Sequence, residues 1–277
     1  MTPCVICWGR RGREHGGYPA GMSDLVQYSR EGDIALLELN RPDKHNALSV
    51  DLIEALHGGL DALDADTDAR VLMLGGTGRS FCAGMDLRDV MHDPEAMGGM
   101  LHGLARASSR IRRLSIPSIA RVQGAAVGGG CGLAVVCDLA VTHGDAKLGY
   151  PEVTLGVCPA VVAPWLMRKI GAGPARAMLL QGGTMSGDEA LACGMVDRIV
   201  PRDDLESTVL GMAKNLAKGG REAMAVTKQW LNTLDGSFDD EPLSRAADLS
   251  AQVIAGNEAQ ERLKRVFGDS LGTPRDV

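Results

Sequence analysis

Short apolar blocks of changing period run along the chain as far as about residue 201. Residues 25–28 and 34–39 read as two strands around a polar turn at Arg30, Glu31, Gly32 and Asp33, an antiparallel hairpin. Arg41, Pro42 and Asp43 end the extended structure, because proline fixes φ and cannot donate to a ladder. Ser49 is placed to cap a helix that carries Leu52, Ile53, Leu56, Leu60 and Leu63 on one face. A buried strand over 71–74, a helix over 95–115, a strand over 118–122 and a helix over about 129–137 follow. This alternation predicts an α/β core of repeated strand-strand-helix turns over residues 22–201.

From residue 202 the period is helical throughout. Leu205, Val209, Met212, Ala213 and Leu216 form one apolar stripe, and Met224, Thr227, Trp230, Leu231 and Leu234 a second. Leu243, Ala246, Ala247, Val253 and Ile254 form a third. Stripes this apolar need partners, so residues 202–277 are expected to serve oligomerisation, with packing back on the chain's own core an equal alternative for any single helix. Residues 1–21 show no periodicity and hold Arg10, Arg11 and Arg13, whereas Met22, Ser23 and Asp24 stand just before the first strand. They are expected to form a disordered extension.

Composition narrows the class without naming it. Of 277 residues, 45% are apolar and 23% charged, with a net charge of -6, which suits a soluble globular protein and not a sequence-independent nucleic-acid binder. No apolar run approaches the roughly 18 residues of a membrane span, so a cytoplasmic protein is expected. The seven cysteines, at 4, 7, 82, 131, 137, 158 and 193, are odd in number in a chain large enough to need no staples, and read as free thiols. Cys4 and Cys7 make a lone CxxC with no second pair, and His57, His92, His102 and His143 lack ligand spacing, so no metal is expected. Gly171-Ala172-Gly173 has Arg176 where a dinucleotide fingerprint needs its last glycine, and no G-x-S-x-G elbow occurs.

Two glycine-bearing stretches carry the candidate chemistry. They are Ser80-Phe81-Cys82-Ala83-Gly84-Met85-Asp86-Leu87 and Gly124-Ala125-Ala126-Val127-Gly128-Gly129-Gly130-Cys131-Gly132. Each puts small residues where a backbone N–H must come within hydrogen-bond reach of a ligand oxygen. With Arg41-Pro42 and Asn46-Ala47-Leu48 upstream and Pro151-Glu152-Val153 downstream, their order and spacing resemble the crotonase superfamily of enoyl-CoA hydratases and isomerases over roughly residues 23–265. The resemblance implies a crotonase-like spiral with C-terminal helices that assemble as a trimer or a dimer of trimers. It also implies an acyl-CoA substrate, as in fatty acid metabolism, and no cofactor beyond the coenzyme A of the substrate.

For individual residues, the resemblance implies an oxyanion hole made by the N–H groups of Met85 and Gly129, the latter at a helix N-terminus. Two such donors lower the barrier to a thioester enolate by a few kcal/mol each. Glu152 stands in a mostly apolar stretch, which raises a carboxyl pKa toward proton-shuttle range. Two-glutamate hydratases carry their other carboxylate at the position of Gly132 here, so Glu152 is left as the only acid and base. One carboxylate suits isomerisation of a 3-enoyl-CoA to a 2-enoyl-CoA, yet the run Glu152-Val153-Thr154-Leu155-Gly156-Val157-Cys158-Pro159-Ala160 is similar to the methylglutaconyl-CoA hydratase branch. In that case the substrate's own distal carboxylate would use the space that Gly132 leaves. Lys44, His45 and Ala47 match the loop beside the CoA pantetheine and adenine, and Arg88 a basic position near its phosphates. Ala83, Asp86 and Leu87 flank the same site, Asp86 as a helix cap in preference to a catalyst. The competing reading from another class is a non-catalytic acyl-CoA-binding or RNA-binding protein.

Overall fold

The computed structural model describes residues 23–87 and 93–267. The expected N-terminal extension, Cys4, Cys7, Arg88 and His92 lie outside them. Strands β1 (Val26–Glu31) and β2 (Ile34–Leu39) pair antiparallel, and β2, β3 (Val71–Gly76), β4 (Ser118–Arg121), β6 (Leu139–Thr142) and β9 (Arg198–Ile199) continue the sheet in parallel in the order β1-β2-β3-β4-β6-β9. A second sheet joins β5 (Ala126–Val127), β7 (Lys147–Gly149) and β8 (Thr184–Ser186) in that order.

Helices join these strands: α1 (Val50–Ala65), α2 (Pro94–Arg113), α3 (Gly129–Val136), α4 (Ala163–Ile170), α5 (Ala172–Gln181) and α6 (Gly187–Ala192). Ser49 caps α1 by accepting from Leu52 N–H, and the apolar face predicted for that helix is the buried one. Alternate side chains of a strand point to opposite faces, and both faces of the large sheet are covered. Ala35, Leu37 and Leu39 of β2 join the main core with α1, α2 and α3, while Ile34 and Leu36 join a second cluster on the far face.

The C-terminal helices are α7 (Leu205–Leu216), α8 (Arg221–Leu234), α9 (Glu241–Ile254) and α10 (Asn257–Phe267). The stripe expected to serve assembly on α7 is spent at home: Leu205, Val209 and Ala213 close the second cluster against Ile34, Val71, Ile119 and Val141. The α9 stripe likewise buries Leu243, Ala246, Ala247 and Ile254, though Val253 stays exposed. Helix α8 is the reverse of a core-facing amphipathic helix. Its inward positions are Lys228 and Asn232, and Trp230, Leu231 and Leu234 are 60%, 54% and 64% exposed. Lys228 Nζ donates to Ile116 O at 2.9 Å and to Asp138 Oδ2 at 2.7 Å, and Asn232 Nδ2 donates to Arg112 O at 2.9 Å. These bonds give the polar groups buried on this face of the helix partners in the body of the protein.

Cys82, Cys131, Cys137, Cys158 and Cys193 are free thiols, as expected. Burial pushes Cys82, Cys131 and Cys137 up to about 12, which leaves them without thiolate character. Among the described residues no helix is long and apolar enough to cross a membrane, and no three His, Cys, Asp or Glu side chains are grouped as a metal ion would need.

Candidate active site

The two glycine-bearing stretches are bound to each other along their backbones. Phe81 and Cys82 N–H both donate to Ala125 O at 3.0 Å, Val127 N–H donates to Cys82 O at 3.0 Å, and Cys82 and Ala126 pair as a parallel bridge. The approach is too close for side chains at two points. A Cβ on Gly84, whose φ is +91°, would lie 2.7 Å from Val127 O, and one on Gly130 would collide with Cys82 O.

A third segment fixes the direction of the Met85 N–H. Leu48 N–H donates to Gly84 O at 2.7 Å, and Asp86 N–H donates to Leu48 O at 2.8 Å. In a trans peptide the C=O and N–H point opposite ways, so with Gly84 C=O aimed at Leu48, the N–H of Met85 is aimed away from it. The same argument holds at α3. Gly128 O accepts from Gly132 N–H at 2.9 Å along the helix, so Gly129 N–H, in the same peptide unit, points out of the helix N-terminus. A Cβ on Gly129 would stand 3.8 Å from Met85 Cγ, so the two residues are neighbours.

Glu152 stands against Gly128, the residue before Gly129. It opens a 3-10 turn (Glu152–Leu155) after Pro151, and its Oε1 lies 2.9 Å from where a Cβ on Gly128 would be. Its Oε2 is buried with no hydrogen-bond partner among the described residues. Loss of hydration on burial raises its pKa from 4.5 to about 7. The structure therefore brings Met85, Gly129 and Glu152 together.

The flanking residues divide. Lys44 is exposed, and His45 and Ala47 are partly so, in the loop bonded to the first stretch through Ala83 N–H to His45 O at 3.0 Å. Asp86 caps no described helix: its Oδ2 accepts from Arg41 Nη1 at 2.8 Å, a pair that ties the loop to the site. Leu87 is a buried core residue. Three of the histidines bond structurally, His57 to Gly103 O, His102 to Asp248 and His143 to Gln123 O.

The space expected beside Gly132 is filled. A Cβ there would lie 2.5 Å from Val162 Cγ1, and Val162, which precedes α4, is 4% exposed. Val162 was invisible to sequence reasoning, because nothing local links positions thirty residues apart. Gly132→Glu is accordingly expected to lower the melting temperature through overpacking, on the order of 1–3 kcal/mol, and not to create a second working carboxylate. Thermal denaturation and turnover of that variant check this.

The family model for "Enoyl-CoA hydratase/isomerase" matches residues 29–266. The chain is 34% identical over 247 residues to a putative enoyl-CoA hydratase of Thermus thermophilus, covering 88% of this chain and 97% of that protein. It is 34% identical over 211 residues to the 2,3-dehydroadipyl-CoA hydratase of Escherichia coli, covering 76% and 82%. Among solved structures, a putative enoyl-CoA hydratase from Mycobacterium avium paratuberculosis superimposes with a TM-score of 0.80 at 29% identity, covering 88% and 96%. The chain belongs to the enoyl-CoA hydratase/isomerase family, within the crotonase superfamily. It is an enzyme of that family, and the mixed α/β core with its C-terminal helices is the fold expected.

Proposed function

We propose that the enzyme hydrates a 2-enoyl-CoA, with the thioester oxygen held between the N–H groups of Met85 and Gly129 and with Glu152 moving the proton. The observation that supports this reading is a buried carboxyl with a pKa of about 7, its Oε2 partnerless among the described residues, set against Gly128 at the start of α3. It stands beside two backbone N–H groups that the hydrogen bonds among the described residues leave free. Glu152 takes a proton from water as the hydroxyl adds to the β carbon, the resulting enolate oxygen is stabilised by the two donors, and the same proton is delivered to the α carbon. One water is added and nothing is left over. Lys44, His45 and Ala47 are proposed to run beside the CoA moiety. No cofactor is needed for these steps.

A second reading is supported by Gly132, which supplies no second carboxylate to anchor the water. In it Glu152 removes a proton from the α carbon of a 3-enoyl-CoA and returns it to the γ carbon. A branched methylglutaconyl-type substrate fits the first reading, but its distal carboxylate cannot use the room beside Gly132, which Val162 occupies. The test compares kcat/KM for a linear 2-enoyl, a linear 3-enoyl and a 3-methylglutaconyl thioester. Hydration of a 2-enoyl thioester supports the first reading, and isomerisation alone supports the second. Tight CoA-ester binding without turnover of any of the three would contradict both readings.

Both reactions start from ionised Glu152, so kcat/KM should fall as pH drops below about 7. Stability runs the other way. In the unfolded chain Glu152 ionises near 4.5, whereas the folded chain holds the proton to about 7, so stability is lost as pH rises through that window. The loss levels off at about 3 kcal/mol above pH 7. Glu152→Gln should therefore melt higher than wild type at pH 8 and no higher at pH 4.

A homo-oligomer, a trimer or a dimer of trimers, is proposed from the exposed apolar side chains of α8 (Val226, Trp230, Leu231, Leu234) together with Met167, Leu180, Leu249 and Val253. Light scattering at micromolar concentration should give a mass of three chains or six. Trp230→Glu with Leu231→Asp should reduce it, and a single-chain mass for wild type would contradict the proposal.

A further inference from the structure

Behind the site, two buried amide side chains converge on one carbonyl. Asn46 is fully buried, at a φ of +56°, in the loop before α1. Its Nδ2 donates to Thr77 O at 3.0 Å, Ser80 O at 2.8 Å and Phe81 O at 3.2 Å, and its Oδ1 accepts from Arg41 N–H at 2.8 Å. Gln123, 9% exposed, stands immediately before the second glycine-bearing stretch. Its Nε2 donates to Gly76 O at 2.6 Å and to the same Ser80 O at 2.7 Å. Glycine makes way for Asn46, since a Cβ on Gly76 would lie 2.5 Å from its Nδ2, and Gly124 lets the two segments approach, since a Cβ there would collide with Arg79 O.

Resting on the reading of the site given above, we infer that Asn46 and Gln123 are positioning residues for the carbonyl-binding centre, acting on the Met85 N–H through the 77–82 loop. The direction of that N–H depends on where Gly84 lies, and Gly84 is held by the 45–48 segment, through His45 O and Leu48, on one side and through the 80–82 backbone on the other. Asn46 ties the loop to the Leu48 segment, and Gln123 ties it to the segment that carries Gly129. Ser80 O is where the two ties meet. Without them, the distance between the two donors is set by a loop whose buried carbonyls lack partners, which costs stability and placement together. A misplacement on the order of 1 Å costs about a hundredfold in rate.

The test uses the full chain with Asn46→Ala, Asn46→Asp and Gln123→Ala. It measures kcat and KM, thermal melting, and the near-ultraviolet absorbance of the enolate that bound acetoacetyl-CoA forms when its oxygen is stabilised. In variants that melt as folded proteins, kcat and the bound enolate fraction should each fall about tenfold to a hundredfold, with KM within about threefold of wild type. A folded Gln123→Ala or Asn46→Ala variant with wild-type kcat and enolate would overturn the inference, as would a rise in KM alone. Failure of every variant to fold would also overturn it, by showing the pair to be structural. If wild type itself neither turns over a thioester nor forms the enolate, the reading of the site fails with it; a normal wild type beside unaffected variants removes the inference alone.

Discussion

Replacing Glu152 by Gln should reduce kcat by roughly a hundredfold to ten-thousandfold and leave CoA-thioester binding nearly unchanged. The two side chains have the same shape, so packing around the turn at Pro151 survives. What is lost is a group able to take and return a proton, and the amide cannot substitute for it at any pH. The carboxyl is well suited to that work because burial holds it at about 7 and leaves Oε2 without a partner among the described residues. Steady-state kinetics and calorimetric titration with an unreactive CoA thioester separate the two effects. Retention of more than about a third of wild-type kcat would remove Glu152 from the chemistry.

Gly84→Ala should cost nearly as much by a different route. The residue has a φ of +91°, a region that side chains avoid, and an added Cβ would lie 2.7 Å from Val127 O. Relief requires the first stretch to move away from the second, and the Met85 N–H belongs to the same peptide unit. Loss of one oxyanion donor lowers kcat by about a hundredfold to a thousandfold, and the strained backbone destabilises by about 1–3 kcal/mol. Kinetics and thermal melting measure both. A variant with kcat within threefold of wild type would mean that Met85 N–H does not contact the reacting carbonyl.

The parts of the fold that obey one period were legible in the sequence. Helix α1 with its Ser49 cap, the β1–β2 hairpin and the strand leading into each glycine stretch follow from local apolar spacing and a single capping hydroxyl. The meeting of Met85, Gly129 and Glu152 was legible only through the resemblance, since no local rule brings residues 85, 129 and 152 together. The apolar stripe read on helix α8 is present and faces outward, but what holds the other face was not legible. Its inward face is held by Lys228 and Asn232 on buried carbonyls and Asp138, and a rule that turns apolar faces inward has no means to see this. Strands of two or three residues, such as β5 and β9, are too short to show alternation. The exchange of volume between Gly132 and Val162 is a packing event between α3 and the start of α4, and leaves no trace in either segment's own pattern.

The central claim is that one carboxyl, Glu152, delivers a proton from water to the carbon beside a thioester carbonyl held by Met85 and Gly129. The most direct test is mass spectrometry of product formed from an enoyl-CoA substrate in deuterium oxide, with wild type and Glu152→Gln at equal concentration. The account predicts deuterium at the α carbon of the wild-type product, formed with each turnover, and almost no labelled product from the variant in the same time. Equal labelling by both proteins, or wild-type product without deuterium at that carbon, would contradict it.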